Sequence, residues 1–172
     1  MGLALIHTPS DIDLIACMYY SFKACGRIDD IFDGHDLLWW LDQFNKNESW
    51  ICEQDGIPVG FGMINTMDAS GIRGEVSFGM LPACTGRNAV RFGKMMLEAV
   101  FSSNSRLRFV YGTTPSRNEK GIKFGKLIGM RVTGVTPNLL TFHGELDDAV
   151  LTYVEREEIL GKRTERTSRE TE

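Results

Sequence analysis

The sequence has no long hydrophobic run and no leader-like start. No apolar stretch in its 172 residues approaches the roughly 20 residues that a transmembrane helix needs. The start, MGLALIHTPS, lacks the basic region of a signal peptide and the Ser or Thr of a myristoylation pattern. These absences predict a cytoplasmic protein that makes no membrane contact.

The sequence also lacks paired cysteines, clustered histidines and an excess of positive charge. The four cysteines and three histidines are scattered, with no C-x-x-C pair and no zinc spacing. We therefore expect free thiols, no metal and no disulfide framework. The formal net charge of −4 disfavours a nucleic-acid partner, because such binders usually carry a basic excess.

What is present is an ordinary globular composition. The chain is 42% hydrophobic and 24% charged, and its length suits one well-buried domain. The last stretch, GKRTERTSRETE, has mixed charge and no apolar residue. We predict a single domain over residues 1–158 and a charged, disordered tail over residues 159–172.

The segment of residues 72–101 has the pattern of a strand, a loop containing glycine and a helix. Its first ten residues alternate as in a strand, which Pro82 ends. A short loop containing Gly86 follows, and Phe92, Met95, Met96 and Ala99 then have helical spacing. A helix N-terminus after such a loop favours an anion such as phosphate, although many plain strand-to-helix connections have the same pattern.

The flanking segments predict a mixed sheet. Two helices follow a first strand at residues 3–7, and the second of them starts near Asp33. Asp55-Gly56 is a tight turn between strands 49–54 and 57–66, so these two strands and the central one form an antiparallel meander. The helix of the central segment leads to a strand at residues 107–114, and a strand–helix–strand connection implies parallel pairing.

The last third of the domain predicts a helix and a hairpin. Ser116 and Glu119 have the spacing of a capping box, and Gly129 should end the helix that they open. Residues 130–142 and 148–155 then form a closing hairpin. The complete order is β-α-α-β-β-β-α-β-α-β-β, an α/β fold with a mixed sheet.

Three stretches with these residues in this order resemble the GNAT superfamily of acyl-CoA N-acyltransferases. Residues 75–82 (EVSFGMLP) are similar to the family's fourth strand, and the loop and helix from Thr85 are similar to its phosphate loop. Residues 118–130 are similar to its N-x-x-A-x-x-L…G-F pattern. The resemblance covers about residues 3–157 and implies a GNAT-like sheet whose fourth and fifth strands splay apart.

The resemblance also implies a coenzyme A thioester, acetyl-CoA, as cofactor. In the family, pantetheine pairs with the exposed edge of the fourth strand, loop amides hold the pyrophosphate, and a later helix approaches the cofactor from the other wall. The implied cofactor-binding residues are Phe78, Met80, Gly86, Arg87, Asn88, Ala89, Val90 and Asn118.

The resemblance assigns the chemistry to few side chains. An attacking amine must lose a proton, and Glu75 matches the position where some family members keep a glutamate as general base. A solvent-facing strand glutamate is an equally good interpretation. The family's proton-donating tyrosine corresponds to Gly125, so that donor is missing.

The phosphate loop departs from the family pattern Q/R-x-x-G-x-G/A. Thr85 stands for its first residue, and Asn88 and Val90 replace the two glycines, which are favoured because side chains hinder the approach of phosphate. Arg87 and Arg91 either compensate by pairing with phosphate or form a solvated helix face.

Two functions from different classes follow. The first is a slow N-acyltransferase that acts on a small-molecule or protein amine, with acceptor identity set around Trp39, Trp40 and the closing hairpin. The second rests on similarity to GNAT-like proteins encoded among structural genes of short-tailed bacteriophages. It is a non-catalytic protein of virion (head) assembly, located in the host cytoplasm. Edge strands at the closing hairpin also offer a route to a homodimer.

Overall fold

The computed structural model describes residues 2–7, 11–27 and 35–161. The strands are β1 (Leu3–His7), β2 (Glu48–Gln54), β3 (Ile57–Met67), β4 (Arg73–Met80), β5 (Phe109–Pro115), β6 (Arg131–Phe142) and β7 (Glu145–Glu155). The helices are α1 (Ile12–Ala24), α2 (Leu37–Lys46), α3 (Gly86–Ser103) and α4 (Glu119–Ile128). Their order along the chain confirms the predicted one.

The seven strands form one mixed sheet in the order β1-β2-β3-β4-β5-β7-β6. Among the strands that the structure describes, β4 and β5 run parallel, and the other neighbouring pairs run antiparallel. The predicted meander is β2-β3-β4, the predicted crossover is α3, and the closing hairpin is β6–β7. The predicted α/β fold class is therefore confirmed.

A further helical segment follows β7. Residues 156–161 are helical, and Ile159 and Leu160 pack against the hydrophobic core. Most of the predicted tail lies outside the described residues, so the domain boundary stays a prediction.

Tight turns with left-handed residues connect β2 to β3 and β6 to β7. Asp55 and Gly56 have φ of 54° and 80°, and His143 and Gly144 have φ of 52° and 78°. Two successive positive φ values match the twist of antiparallel strands, and glycine adopts them without strain. The Asp-Gly signal in the sequence therefore located the β2–β3 turn correctly.

Side-chain caps start three of the four helices named above. Asp11 accepts a hydrogen bond from the Leu14 amide, and Asp36 accepts one from the Trp39 amide. The predicted α2 cap, Asp33, lies outside the described residues. In α4 the Asn118 side chain accepts from the Gly121 amide at 2.9 Å.

The predicted capping box at the start of α4 is wrong. Asn118, not Ser116, is the N-cap residue, and Glu119 is the first helical residue. The Ser116 hydroxyl instead donates to Asp147 at 2.7 Å. Gly129 ends the helix with φ of 109°, as predicted.

Two hydrophobic clusters lie on opposite faces of the sheet, because successive strand side chains alternate between faces. The α3/α4 cluster includes Val76, Phe92, Leu97, Val100, Phe101 and Val110. The α1/α2 cluster includes Ile15, Met18, Phe22, Trp40, Phe44 and Phe61. Different helices therefore cover the two faces; Val76 of β4 packs in the α3/α4 cluster, and Leu81, just after β4, packs in the α1/α2 cluster.

Gly79 is needed for the packing of the α1/α2 cluster. A Cβ atom added there would lie 2.2 Å from Cε1 of Phe61, whose side chain is fully buried. We expect Gly79→Ala to lower the free energy of unfolding by about 1–3 kcal/mol, since an overpacked core must shift. Urea unfolding measures this loss. The matched control is Gly134→Ala, where an added Cβ meets no atom within 4 Å; equal stability of both variants would contradict the assignment.

The cysteines are free thiols, with Cys17 and Cys25 exposed and Cys52 and Cys84 buried. Among the described residues, no group of three or more His, Cys, Asp or Glu side chains is placed to hold a metal ion. No helix in these same ranges combines the length and the apolar character that crossing a membrane requires.

Candidate functional site

Strands β4 and β5 pair over a short distance and then separate. Three residue pairs make up the ladder in the described chain: Arg73 with Phe109, Gly74 with Val110, and Glu75 with Tyr111. Beyond them, residues 76–80 of β4 and 112–115 of β5 are unpaired with each other. We call the space between these two segments the groove. The predicted splayed parallel pair is thus present.

The groove exposes main-chain groups of Phe78 and Met80. The Ile72 carbonyl, just before β4, accepts a hydrogen bond from the Arg108 amide at 2.8 Å. The main-chain N–H and C=O groups of the even-numbered residues of β4 therefore point toward β5. The Leu81 amide, just after β4, donates to a β3 carbonyl at 2.9 Å, so the main-chain groups of the odd-numbered residues point toward β3. Phe78 and Met80 therefore direct their N–H and C=O groups into the groove.

Helix α3 begins where β4 ends, and its first turn is not capped by a side chain. Thr85 is the N-cap residue but makes no side-chain cap hydrogen bond, unlike the caps of the other three named helices. The first turn contains no acidic residue. The amides of Gly86, Arg87 and Asn88 have no intrahelical acceptor, so this end of the helix offers N–H groups and a positive dipole.

Helix α3 begins at Gly86, so the predicted residues Ala89 and Val90 lie within the helix. Their contact with a diphosphate stays a prediction. The Asn88 side chain is engaged, because its Nδ2 donates to Gln54 Oε1 at 2.9 Å.

Aromatic side chains line the groove on the α3/α4 side. The Phe78 ring packs edge-on against Phe124 of α4, with centroids 5.3 Å apart, and against Phe92 of α3 at 6.4 Å. Phe78, Met80 and Phe124 remain partly exposed. The groove thus has an apolar wall that its own side chains do not completely cover.

Glu75 lies on the opposite, α1/α2 face, at the last paired position before the strands separate. The Thr113 hydroxyl donates to Glu75 Oε1 at 2.9 Å, and the Glu75 side chain is partly buried. Tyr111 is its register partner on β5. Burial, followed by the negative charge of Glu75, raises the pKa of Tyr111 above its ordinary value.

No family model matches the chain, and no curated protein matches it. Solved structures do. The spermidine N-acetyltransferase of Vibrio cholerae, in complex with CoA and spermine, superposes with a TM-score of 0.74 and 15% identity, covering 92% of this chain and 98% of the other. An acetyltransferase of the GNAT family from Bacillus anthracis gives 0.72 and 16%, covering 89% and 95%.

The chain has the GNAT fold. A third structure of this fold, yncA from Salmonella typhimurium with its cofactor acetyl-CoA, gives a TM-score of 0.68 and 16% identity, covering 91% of this chain and 95% of the other. At these identities the likeness establishes the fold, so the site roles rest on the geometry of this chain. Virion assembly and a homodimer stay predictions.

In this GNAT fold, Asn118 lies on the β5 side of the groove. It lies three residues after the end of β5, and its Oδ1 accepts the hydrogen bond that caps α4. Its approach to a cofactor stays a prediction and would use the remaining amide group, Nδ2. Helix α4 also carries Gly125, which is buried, yet a Cβ built there would meet no atom within 4 Å. The space beside Gly125 is therefore open where the family's tyrosine would stand.

A buried aspartate that the sequence did not single out holds the segment leading to Asn118. Asp147 of β7 accepts from the Ser116 hydroxyl at 2.7 Å and from the Arg117 amide at 3.1 Å. The Arg117 guanidinium also pairs with it, at 3.4 Å, and with Glu145 at 2.7 Å. These contacts fix the β5–α4 connection to the closing hairpin.

Asp147 should make stability depend on pH in acid. Although desolvation raises its pKa, the hydrogen bonds from Ser116, Arg117 and Asp148 and the charge of Arg117 outweigh it and lower the pKa. The stabilisation is therefore complete above about pH 4, the unfolded value, and is lost as the pH falls through the lower folded value. We expect Asp147→Asn to be less stable at pH 7, with the difference in melting temperature narrowing below about pH 4. A constant difference from pH 7 to pH 2 would contradict this.

The two adjacent tryptophans have different surroundings. Trp40 is fully buried in the α1/α2 cluster. Trp39 is partly buried and stacks on His35 with ring centroids 4.3 Å apart. That the region around Trp39 and Trp40 determines the acceptor stays a prediction.

Proposed function

We propose that the chain is an N-acyltransferase that transfers an acetyl group from acetyl-CoA to an amine. One observation supports this above the others: β4 separates from β5 after Glu75 and then leads, through residues 81–85, to the uncapped first turn of α3. An extended thiol arm needs unpaired main-chain groups, and a diphosphate needs unpaired N–H groups. The groove offers the first, and the start of α3 offers the second.

The donor would bind along the groove. Phe78 and Met80 would pair through their main chains with the amide-rich arm of coenzyme A, as an added strand does. The diphosphate would lie at the amides of Gly86, Arg87 and Asn88, where the helix dipole favours negative charge. Two GNAT-fold neighbours are described with CoA or acetyl-CoA bound, which supports this donor.

The chemistry would take place where the groove meets Glu75. The Glu75 carboxylate would accept a proton from the ammonium form of the acceptor, leaving a neutral amine. The nitrogen lone pair would form a C–N bond to the thioester carbonyl carbon, and the C–S bond would break. The thiolate leaves with its electron pair and takes up the second proton lost by nitrogen, through water. Glu75 then returns its proton to solvent.

The proposed enzyme would be slow. At Gly125 no side chain is present to protonate the leaving thiolate, and general acids typically contribute about 10²–10⁴-fold. The turnover would then depend on water in the space beside Gly125.

A thermal-shift titration with acetyl-CoA tests the donor proposal. A ligand at about 100 times its Kd stabilises the native state by about 2.7 kcal/mol. For a domain of this size that is an increase in melting temperature of about 5–10 °C. Absence of a shift at millimolar acetyl-CoA would remove the proposal. A positive shift would be followed by mass spectrometry of amines incubated with protein and acetyl-CoA.

Gly125 favours a second candidate, a non-catalytic GNAT-fold protein of bacteriophage virion assembly. Gly125 in place of a proton donor, together with Asn88 and Val90 in place of glycines, fits a fold that has lost catalysis. This candidate predicts no acetyl-CoA shift and co-sedimentation with assembling head proteins. A shift together with acyl transfer would exclude it.

A further inference from the structure

Helix α4 lies across the groove and contacts both of the strands that border it. On the β5 side, a Cβ atom built at Gly121 would lie 3.0 Å from Cγ2 of Thr114. On the β4 side, the Phe124 ring packs against Phe78, with centroids 5.3 Å apart. The helix therefore bridges the two separated strand segments on the α3/α4 face of the sheet.

Helix α4 also runs back along the groove toward the point where the strands part. Its first turn contacts Thr114, near the end of β5, and Met130 follows directly after its C-cap residue. A Cβ built at Gly112, the first β5 residue beyond the ladder, would lie 3.6 Å from Cε of Met130 and 3.5 Å from the Val76 carbonyl oxygen. The middle of the helix, where Gly125 lies, is therefore close to the inner end of the groove.

The bridge leaves a gap at Gly125, which we call the recess. Gly121 and Gly125 are about one turn apart on the same side of α4, so both face the sheet. A Cβ at Gly121 would touch Thr114, whereas one at buried Gly125 would meet no atom within 4 Å in the part of the chain that the structure describes. The side chains around the inner end of the groove on this face are apolar: Val76, Phe78, Phe124 and Met130.

The recess holds more than one carbon atom. Carbon atoms in van der Waals contact are about 3.5–4.0 Å apart, so a carbon at the Cβ position of Gly125 would still have space around it. The methyl group of an acetyl donor leaves part of that space to water. Each further methylene group replaces water by contact with apolar side chains, which is favourable.

We propose that the recess receives the acyl chain of the donor, and that the chain prefers propionyl-CoA and butyryl-CoA to acetyl-CoA. The inference rests on the proposed function, because it places the thioester at the inner end of the groove. Gly125 determines this specificity, since any side chain there would occupy the recess. The acetyl donor still binds, because its thiol arm and diphosphate use the same main-chain groups.

The test is calorimetric titration of the protein with CoA, acetyl-CoA, propionyl-CoA and butyryl-CoA. We expect the Kd to fall by about fourfold for each methylene group added to acetyl, and thus by about 16-fold for butyryl-CoA. Equal affinity for acetyl-CoA and butyryl-CoA, or weaker binding of butyryl-CoA, would overturn the inference.

Variants locate the acyl chain. Gly125→Leu fills the recess, so butyryl-CoA should bind this variant no more tightly than acetyl-CoA does. The matched control is Gly134→Leu on β6, where an added Cβ likewise meets no atom within 4 Å among the described residues; it should keep the preference of the parent. A full butyryl preference in folded Gly125→Leu would overturn the assignment of the recess.

A smaller change keeps the test valid if Gly125→Leu does not fold. Gly125→Ala adds one carbon where space exists, and alanine favours a helix more than glycine does. It should reduce the preference for butyryl-CoA over acetyl-CoA from about 16-fold to about fourfold. An undiminished preference in Gly125→Ala would contradict the inference as well.

Failure of this inference is distinguishable from failure of the proposed function. A chain that binds acetyl-CoA and transfers its acetyl group, but gains no affinity from a longer acyl chain, keeps the proposed function and loses only this donor preference. A chain that binds none of the four compounds loses both.

Discussion

Replacing Glu75 by glutamine should slow acyl transfer by about 10²–10⁴-fold and leave the affinity for CoA unchanged. Glutamine keeps the size of the side chain and an oxygen for the Thr113 hydroxyl, so the local structure should persist. It cannot accept the ammonium proton. CoA affinity should hold because Glu75 lies on the opposite face of the sheet from α3 and α4. Initial rates at saturating amine, together with calorimetric titration of CoA, measure the two quantities.

The matched control is Glu53→Gln on β2, a strand that β3 separates from β4. The same change of charge there should alter neither rate nor affinity. Unchanged transfer in Glu75→Gln would clear Glu75 of the role of base. If Glu75→Gln also lowered CoA affinity, Glu75 would instead be needed for the structure of the groove.

Asn88→Asp should lower CoA affinity by at least about tenfold, because a carboxylate in the first turn of α3 repels the diphosphate at close range. The fold should tolerate the change. A negative charge at a helix N-terminus stabilises by about 0.3–1 kcal/mol, which offsets loss of the bond from Asn88 Nδ2 to Gln54. Asn88→Asp would then lower the affinity for CoA without lowering the stability of the fold.

Titration of CoA at low and high salt is the measurement. The affinity difference between Asn88→Asp and the parent should shrink in high salt, since exposed charges are screened. Asn45→Asp, at an exposed position on α2, is the control for the added charge. Equal CoA affinity for both variants would show that the diphosphate does not lie at α3.

Local signals in the sequence predicted the elements and their order. Asp55-Gly56 and Gly129 impose backbone conformations that few other residues adopt, so the β2–β3 hairpin and the end of α4 were predictable. The helix start at residues 116–119 was mispredicted, because Ser116 bonds with Asp147, 31 positions away. A local capping rule cannot anticipate such a competitor.

The site was predictable only in part. The parting of β4 and β5 came from the resemblance, since no residue pattern sets where a parallel ladder stops. The Thr113–Glu75 hydrogen bond joins residues 38 positions apart and depends on the register of that ladder.

Titration of nitrogen-15-labelled protein with CoA, followed through backbone amide signals, tests the central claim most directly. The account predicts the largest shifts at the amides of Phe78 and Met80 on the free edge of β4 and at Gly86, Arg87 and Asn88 at the start of α3. Smaller shifts should follow along α4 from Asn118. Shifts confined to other surfaces, or none at millimolar CoA, would contradict a donor site in the groove.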